Sequence, residues 1–502
     1  MCNGNKVVLY YPYPEPSTRP SHWAPLPVMA VGSYLLHQGY EVVIIDQRLE
    51  KEPFKRVLSE LEGALCLGIS AITGIQLAEG VEISREVKKR LPEIPIIWGG
   101  VHPTLLPEQT VAHPAIDIVV RGQGEVTMWE LVKSFADKGN LREVKGLTFK
   151  EKGKIFSTPP RPLTDINDFP PLSYSLIEVE RYLDRYFDFA GRTLQEGAQP
   201  RAITYLSSFG CPFNCRFCSE NVMSRGRWFG LKAERVVNEI RDLVEEFGVK
   251  RVVFADENFF VKPSRVNAIA DLILEQDIAV LWEGAGRSDS LARFSDSEVE
   301  TLYHSGCRLV LVGAESGSQE TLDLIGKRSS PEDTEVATRR FTSHGIMINL
   351  SYMFALPDES PESLWQTTQQ VYRLAPGNHL VELTYNNYSP YPGNELFDRA
   401  LELGFNPPQS LEAWADVVHK NINLPTVNPK LIRRFLLLRF MFLGRPKPGV
   451  WNLRRNIVIL LLRVCARIRL ALKTFALPLD LVVMEAIVRR RHSAKSVMAM
   501  KG

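Results

Sequence analysis

The sequence is poor in cysteine outside one short stretch. Of the seven cysteines in 502 residues, Cys2, Cys66, Cys307 and Cys465 stand alone. They are too scattered for a disulfide framework, and that usage points to a reducing, cytoplasmic setting. No uninterrupted apolar run reaches about 18 residues, so no membrane-spanning helix is expected. The opening residues, Met1-Cys2-Asn3-Gly4-Asn5-Lys6, lack a basic stretch followed by a long apolar one, so no signal peptide is expected. Charge of one sign is also lacking over the whole chain. A formal net charge of +2 gives no chain-wide attraction for nucleic acid, and no such partner is expected. The rest is ordinary for a globular protein, with 45% hydrophobic and 24% charged residues. The length suits roughly two to four domains.

What is present is Cys211-Pro212-Phe213-Asn214-Cys215-Arg216-Phe217-Cys218, a C-x3-C-x2-C stretch directly after an apolar run. Thiolates so close together suit a metal centre. A zinc site would need a fourth cysteine or histidine at short range, and the next histidine is His304. Three thiolates suit an iron–sulfur cluster with one iron left open. This spacing, with Phe217 before the last cysteine, resembles the radical S-adenosylmethionine (radical SAM) superfamily. The resemblance implies a 4Fe-4S cluster held by Cys211, Cys215 and Cys218. Its open iron would chelate the amino and carboxylate groups of S-adenosylmethionine, and one electron would cleave the sulfonium to a 5′-deoxyadenosyl radical. An electron donor such as flavodoxin or ferredoxin is then an expected partner.

Residues 6–140 alternate between apolar runs and helical patterns. Strands are expected over 6–11, 41–46, 64–72, 94–98 and 117–120, and helices over 28–39, 54–63, 77–90 and 126–138. That alternation argues a Rossmann-like, doubly wound parallel sheet, which binds ligands at the carboxyl ends of its strands. Ser70, Thr73, Gly99, Gly100, Gly122 and Gly124 fall at those ends, and glycine there lets a bulky ligand approach the backbone. Trp98-Gly99-Gly100-Val101-His102-Pro103-Thr104 and Arg121-Gly122-Gln123-Gly124-Glu125 resemble loops of the cobalamin-binding domains that precede many radical SAM domains. The resemblance implies cobalamin contacts from Ser70, Thr73, Gly99, Gly100, His102, Gly122, Gly124 and Glu125. One departure is plain. Asp46 is followed by Gln47, Arg48 and Leu49, so the D-x-H-x-x-G histidine that ligates cobalt in other cobalamin domains is missing. A lone loop histidine such as His102 is more often structural than a ligand contact. A Rossmann-like domain that has lost its cofactor is the alternative for this half.

Residues 141–200 read as a linker, with a hairpin at 147–157 and proline clusters at 159–162 and 169–171, then a helical segment over 177–185. From 201 to 400 six strands are expected, over 202–207, 251–255, 278–283, 308–313, 347–354 and 380–388, with helices between, the clearest over 233–247. Six repeats suit a partial (β/α)6 barrel, whose chemistry gathers at the carboxyl ends of the strands. The radical SAM resemblance puts Asp256 and Glu257 where the superfamily contacts the methionine amino group. Ala314-Glu315-Ser316-Gly317-Ser318, with Leu322 and Lys327, resembles its strand-four stretch near the cofactor's amino acid and ribose. Arg287 offers a fork for the methionine carboxylate. Salt bridges at the barrel rim are the alternative for each of these. Tyr352, Tyr385, Tyr388 and Tyr391 fit packing better than a substrate pocket.

Residues 401–502 form a helical C-terminal region. Over 430–491 fifteen Lys or Arg stand against Asp480 and Glu485, a local charge of +13 (fifteen minus two). Basic residues between runs such as Ile457-Val458-Ile459-Leu460-Leu461-Leu462 point to peripheral membrane contact, or to a helical domain packed on the barrel with a solvated basic face. The whole layout resembles cobalamin-binding radical SAM enzymes. It implies C-methylation of an unactivated carbon on an apolar lipid, isoprenoid or natural-product substrate. Oxidative cyclisation or rearrangement, as in the anaerobic magnesium-protoporphyrin ester cyclase, is the second reading, and a non-catalytic iron–sulfur binding protein the third.

Overall fold

The structure, a computed structural model, describes residues 5–13, 23–183, 201–418, 421–443 and 453–487. The first sheet starts with β1 (Lys6–Tyr11), β2 (Glu41–Asp46), β3 (Cys66–Ser70), β4 (Ile96–Gly99) and β5 (Ile118–Val120), parallel in the order 2-1-3-4-5. Helices cover both faces, so the strands bury alternate residues into two cores. Val7 and Leu9 enter one, Val8 and Tyr10 the other, which is why the strands read as continuous apolar runs. The order reverses between β1 and β3, and such a reversal opens a crevice at the strand ends.

The hairpin β6 (Leu147–Glu151) and β7 (Lys154–Ser157) does not belong to the linker. It extends this sheet antiparallel from β5, with Val120 opposite Leu147 and Ile118 opposite Phe149. Leu147 and Phe149 are buried on one face of the strand, and that alternation is what the sheet edge captures. Of the helix expected over 177–185, residues 177–179 are not helical, Glu180–Leu183 form one turn, and 184–185 lie outside the described residues.

The second sheet holds β8 (Ala202–Tyr205), then, after a two-stranded ribbon of β9 (Ser208–Gly210) and β10 (Trp228–Gly230), β11 (Arg251–Phe254), β12 (Leu281–Arg287), β13 (Cys307–Glu315), β14 (Met347–Phe354) and β15 (Val381–Asn387). Six of these are parallel in sequential order, with β8 and β15 at the two edges, a partial barrel. The strand expected over 278–283 lies later, as β12. Its Gly284 and Gly286 look like loop residues, yet they lie against the rings of Phe259 and Phe260, where a Cβ would come within 3.3 and 2.9 Å. The helix Ala233–Phe247 matches its apolar spacing, burying Val236, Val237, Ile240 and Leu243, and ends on Gly248 at φ +62°.

The C-terminal region divides. Phe405, Leu411 and Trp414 pack with Trp98 on the first domain, and Trp414 Nε1 donates to Gln109 Oε1 at 2.8 Å. The helices Pro429–Leu443 and Leu453–Leu472 dock on the barrel, where the Trp365 ring lies 4.8 Å from Phe435 and 4.7 Å from Phe475. No helix among the described residues is long and apolar enough to cross a membrane.

Candidate cofactor site

The cysteine loop leaves β9 at Gly210. This residue has φ +84°, and a Cβ on it would sit 2.3 Å from the Arg227 carbonyl oxygen. Only glycine fits there, and the β9–β10 ribbon fixes how the loop starts. Cys218 N donates to the Cys215 carbonyl at 3.1 Å, closing the turn between them. Burial raises the Cys211 thiol and pushes that of Cys218 up to about 12. Such thiols stay protonated until a cation binds the sulfur and the proton is released to solvent.

Arg287, at the end of β12, is committed to this loop. Its Nη1 lies 3.2 Å from Cys215 Sγ and its guanidinium 4.0 Å from the Phe213 ring centre. Its Nε donates to Asp289 at 2.9 Å, and Nη2 donates to the Lys327 carbonyl. These contacts hold the guanidinium expected at a methionine carboxylate beside the cysteine loop.

Asp256, at the end of β11, is hydrogen-bonded within the protein. Its carboxylate accepts from Ser207 N at 2.7 Å, Ser207 Oγ at 2.5 Å and Ser208 N at 3.1 Å, which fixes the chain leading into the ribbon. The next residue, Glu257, faces open space. Its side chain is exposed to that space, yet the protein walls around the carboxyl, and next the Asp256 charge, raise it. Asn258 is buried, and neither side-chain polar atom has a partner. An orphaned amide beside a raised carboxyl suits a ligand with both donors and acceptors. Glu315 ends β13 at φ +58°, held by Lys327 Nζ at 2.7 Å. Ser316 is turned into the helix layer, 2.8 Å from Thr367 Oγ1, and does not face the site. At the rim of the barrel Glu257 thus faces the open space, Asn258 lies buried beside it and Glu315 is paired with Lys327.

A cavity of about 410 Å³ lies between the carboxyl ends of the first sheet and the cysteine side of the barrel. From the first sheet it is lined by Tyr11, Gly68, Ser70, Gly99, Gly100, Gly122, Gly124 and Glu125, and from the barrel side by Phe209, Gly210, Glu220, Met223 and Glu257. Gly122 has φ +74° with nothing within 4 Å of a Cβ, so a side chain there would enter open space. The glycine edge thus fits a wide ligand such as cobalamin. Burial raises the Glu125 carboxyl at the start of its helix. Glu220, which sequence reasoning missed, is pushed up to about 8 by burial and then by Glu257. The signal for it was its place two residues after Cys218.

His102 and Thr73 do not line this cavity. His102 is 0% exposed and its Nδ1 lies 2.9 Å from Thr73 Oγ1, with its ring against Trp414. Burial pushes its imidazole down to about 3. It is a core residue under the loop, and no histidine is among the described residues lining the cavity. Asp46, where the missing histidine motif would start, instead pairs with Arg48 and accepts from Tyr182 at 2.9 Å.

Residues 17–132 match the family described as B12 binding domain, and residues 205–371 match the Radical SAM superfamily. An uncharacterized methyltransferase of Pyrococcus horikoshii is 28% identical over 375 residues, 73% of this chain and 76% of its own. An anaerobic magnesium-protoporphyrin IX monomethyl ester cyclase of Rubrivivax gelatinosus is 28% identical over 83% of this chain and 72% of its own. A hopanoid C-3 methylase of Methylococcus capsulatus is 25% identical over 74% and 67%. The fold matches the cobalamin-dependent radical enzyme OxsB, solved with aqua-cobalamin and S-adenosylmethionine, at TM-score 0.73 and 17% identity, covering 98% of this chain and 76% of that one. With its glycine-edged sheet facing a three-cysteine loop, the chain belongs to the radical SAM superfamily, as an enzyme that carries a B12 binding domain ahead of its barrel and uses a 4Fe-4S cluster, S-adenosylmethionine and cobalamin.

Proposed function

We propose that this enzyme transfers a methyl group to an unactivated carbon of an apolar substrate. The observation that carries the reading is one cavity lined by both the glycine edge of the first sheet and the cysteine side of the barrel. Bound on those two sides, the cofactors would supply a hydrogen-abstracting radical and a transferable methyl group. The protein's own part is placement. Gly99, Gly100 and Gly122 admit a broad ligand to the backbone, while Gly210 and Asp256 fix the loop that faces it. Apolar walls from Leu9, Ile69, Val120 and Met128 exclude water.

The hopanoid methylase relative supports a lipid-like substrate. Oxidative cyclisation is the second reading, supported by the cyclase relative's match over 83% of this chain. A small protein reductant such as flavodoxin or ferredoxin would deliver the electron.

Anaerobic reconstitution tests the reading. Four irons per chain, cobalt uptake and 5′-deoxyadenosine formation with a reductant are expected. With methyl-labelled S-adenosylmethionine, label in the product selects methylation. Product without label selects cyclisation. Cobalt-free protein of full activity would overturn the methyl-transfer reading.

A further inference from the structure

The Leu453–Leu472 helix uses one side to pack on the barrel and leaves the other in solvent. Leu462, Ala466 and Leu470 are buried. On the free side Ile457, Leu461, Val464, Ile468 and Leu472 follow at intervals of four, three, four and four, and all are exposed. That spacing is one continuous helical stripe. Beyond the helix further apolar side chains are exposed, Leu477 at 85%, Leu479 at 77%, and Val482 and Val483 after them. An apolar face of this extent marks an interaction surface rather than scattered surface residues.

The turn that carries the two leucines is a built structure. Arg469 is buried beneath it and donates to the carbonyls of Thr474 and Ala476 at 3.1 Å and of Leu477 at 3.0 Å. It also pairs with Asp480. Leu477 is held at φ +50°, a left-handed conformation a leucine seldom adopts. A charged network inside the turn therefore fixes apolar tips outside it.

Charge selects the partner. Both acidic residues of 430–491 are engaged, Asp480 by Arg469 and Glu485 by Arg433 at 3.0 Å. The segment as a whole carries +13, fifteen basic residues minus two acidic, and the fifteen include Arg489, Arg490 and Arg491. A second copy would bring the same charge against itself, whereas an anionic lipid surface answers both the apolar stripe and the basic residues. We propose that this face, with Leu477 and Leu479 as its tips, docks in the interfacial layer of an anionic bilayer. The inference stands apart from the methyl-transfer reading.

The test is flotation of the reconstituted full-length enzyme with vesicles of phosphatidylcholine, alone or mixed with phosphatidylserine. Binding to the phosphatidylserine vesicles is expected, weakening as salt rises. Leu477→Asp with Leu479→Asp should weaken it about a hundredfold, the loss expected when two leucines no longer leave water. A second pair, Ile468→Asp with Leu472→Asp, tests the helix stripe independently of the turn. Both pairs are exposed, and 5′-deoxyadenosine formation in each should match the parent. Absence of flotation with phosphatidylserine, or flotation untouched by both pairs, overturns the proposal. A concentration-dependent dimer that the substitutions dissolve, without vesicle binding, overturns it in favour of a second copy.

Discussion

Arg287 Nη1 lies 3.2 Å from Cys215 Sγ, so a guanidinium donates to the sulfur of the middle cysteine of the loop. Hydrogen bonds and positive charge near a cluster's sulfurs stabilise its reduced form and raise its potential. Arg287→Met should keep the iron but lower the potential. The potential falls by the difference in that bond's strength between the two redox states, so the whole of a hydrogen bond to a charged group, about 1.5–3 kcal/mol, sets an upper bound of about 60–130 mV for one electron. A redox titration followed by electron paramagnetic resonance measures it. An unchanged potential would mean that Arg287 only packs on Phe213.

Cys215 is the most buried of the three loop cysteines. Cys215→Ala should lower iron content and abolish 5′-deoxyadenosine formation, measured together on anaerobically reconstituted protein. Retained product would refute the ligand assignment.

The strands and the cysteine loop were legible because both rest on local pattern. Continuous apolar runs mark strands buried on both faces, and C-x3-C-x2-C is a contiguous signal. The side-chain partners of Asp256, Arg287, Ser316 and His102 were not legible. Each depends on a partner distant in sequence: Ser207, Cys215, Thr367 and Thr73. Spacing places such residues at strand ends, but it does not say which way they turn. The shift of β12 was hidden for a related reason. Gly284 and Gly286 break the apolar pattern, and only the rings of Phe259 and Phe260 make them strand residues.

Gly100 and Gly122 separate stability from cofactor binding. A Cβ on Gly100, at φ +95°, would stand 2.7 Å from the Ala71 carbonyl oxygen. Gly100→Ala should therefore cost about 1–3 kcal/mol from backbone strain and more from the clash, seen as a lowered urea midpoint. Gly122 has open space, so Gly122→Leu carries only the strain but fills the cavity edge. It should lose cobalamin, read from the visible spectrum, while keeping iron and most of its stability.

His102 makes the fold sensitive to acid. Its imidazole is held neutral by burial, down to about 3, while in the unfolded chain it titrates near about 6.5. Below that value the unfolded state binds a proton that the folded state refuses, so stability is full above about pH 6.5 and falls as pH drops. At pH 5 the loss from this group is about 2 kcal/mol. His102→Gln removes the titration but keeps a polar side chain facing Thr73. It should be less stable than the parent at pH 7, where the packing against Trp414 is lost, yet lose less between pH 7 and pH 5. Urea unfolding of both proteins at the two pH values gives the difference, and equal acid losses would show that His102 is protonated in the folded protein.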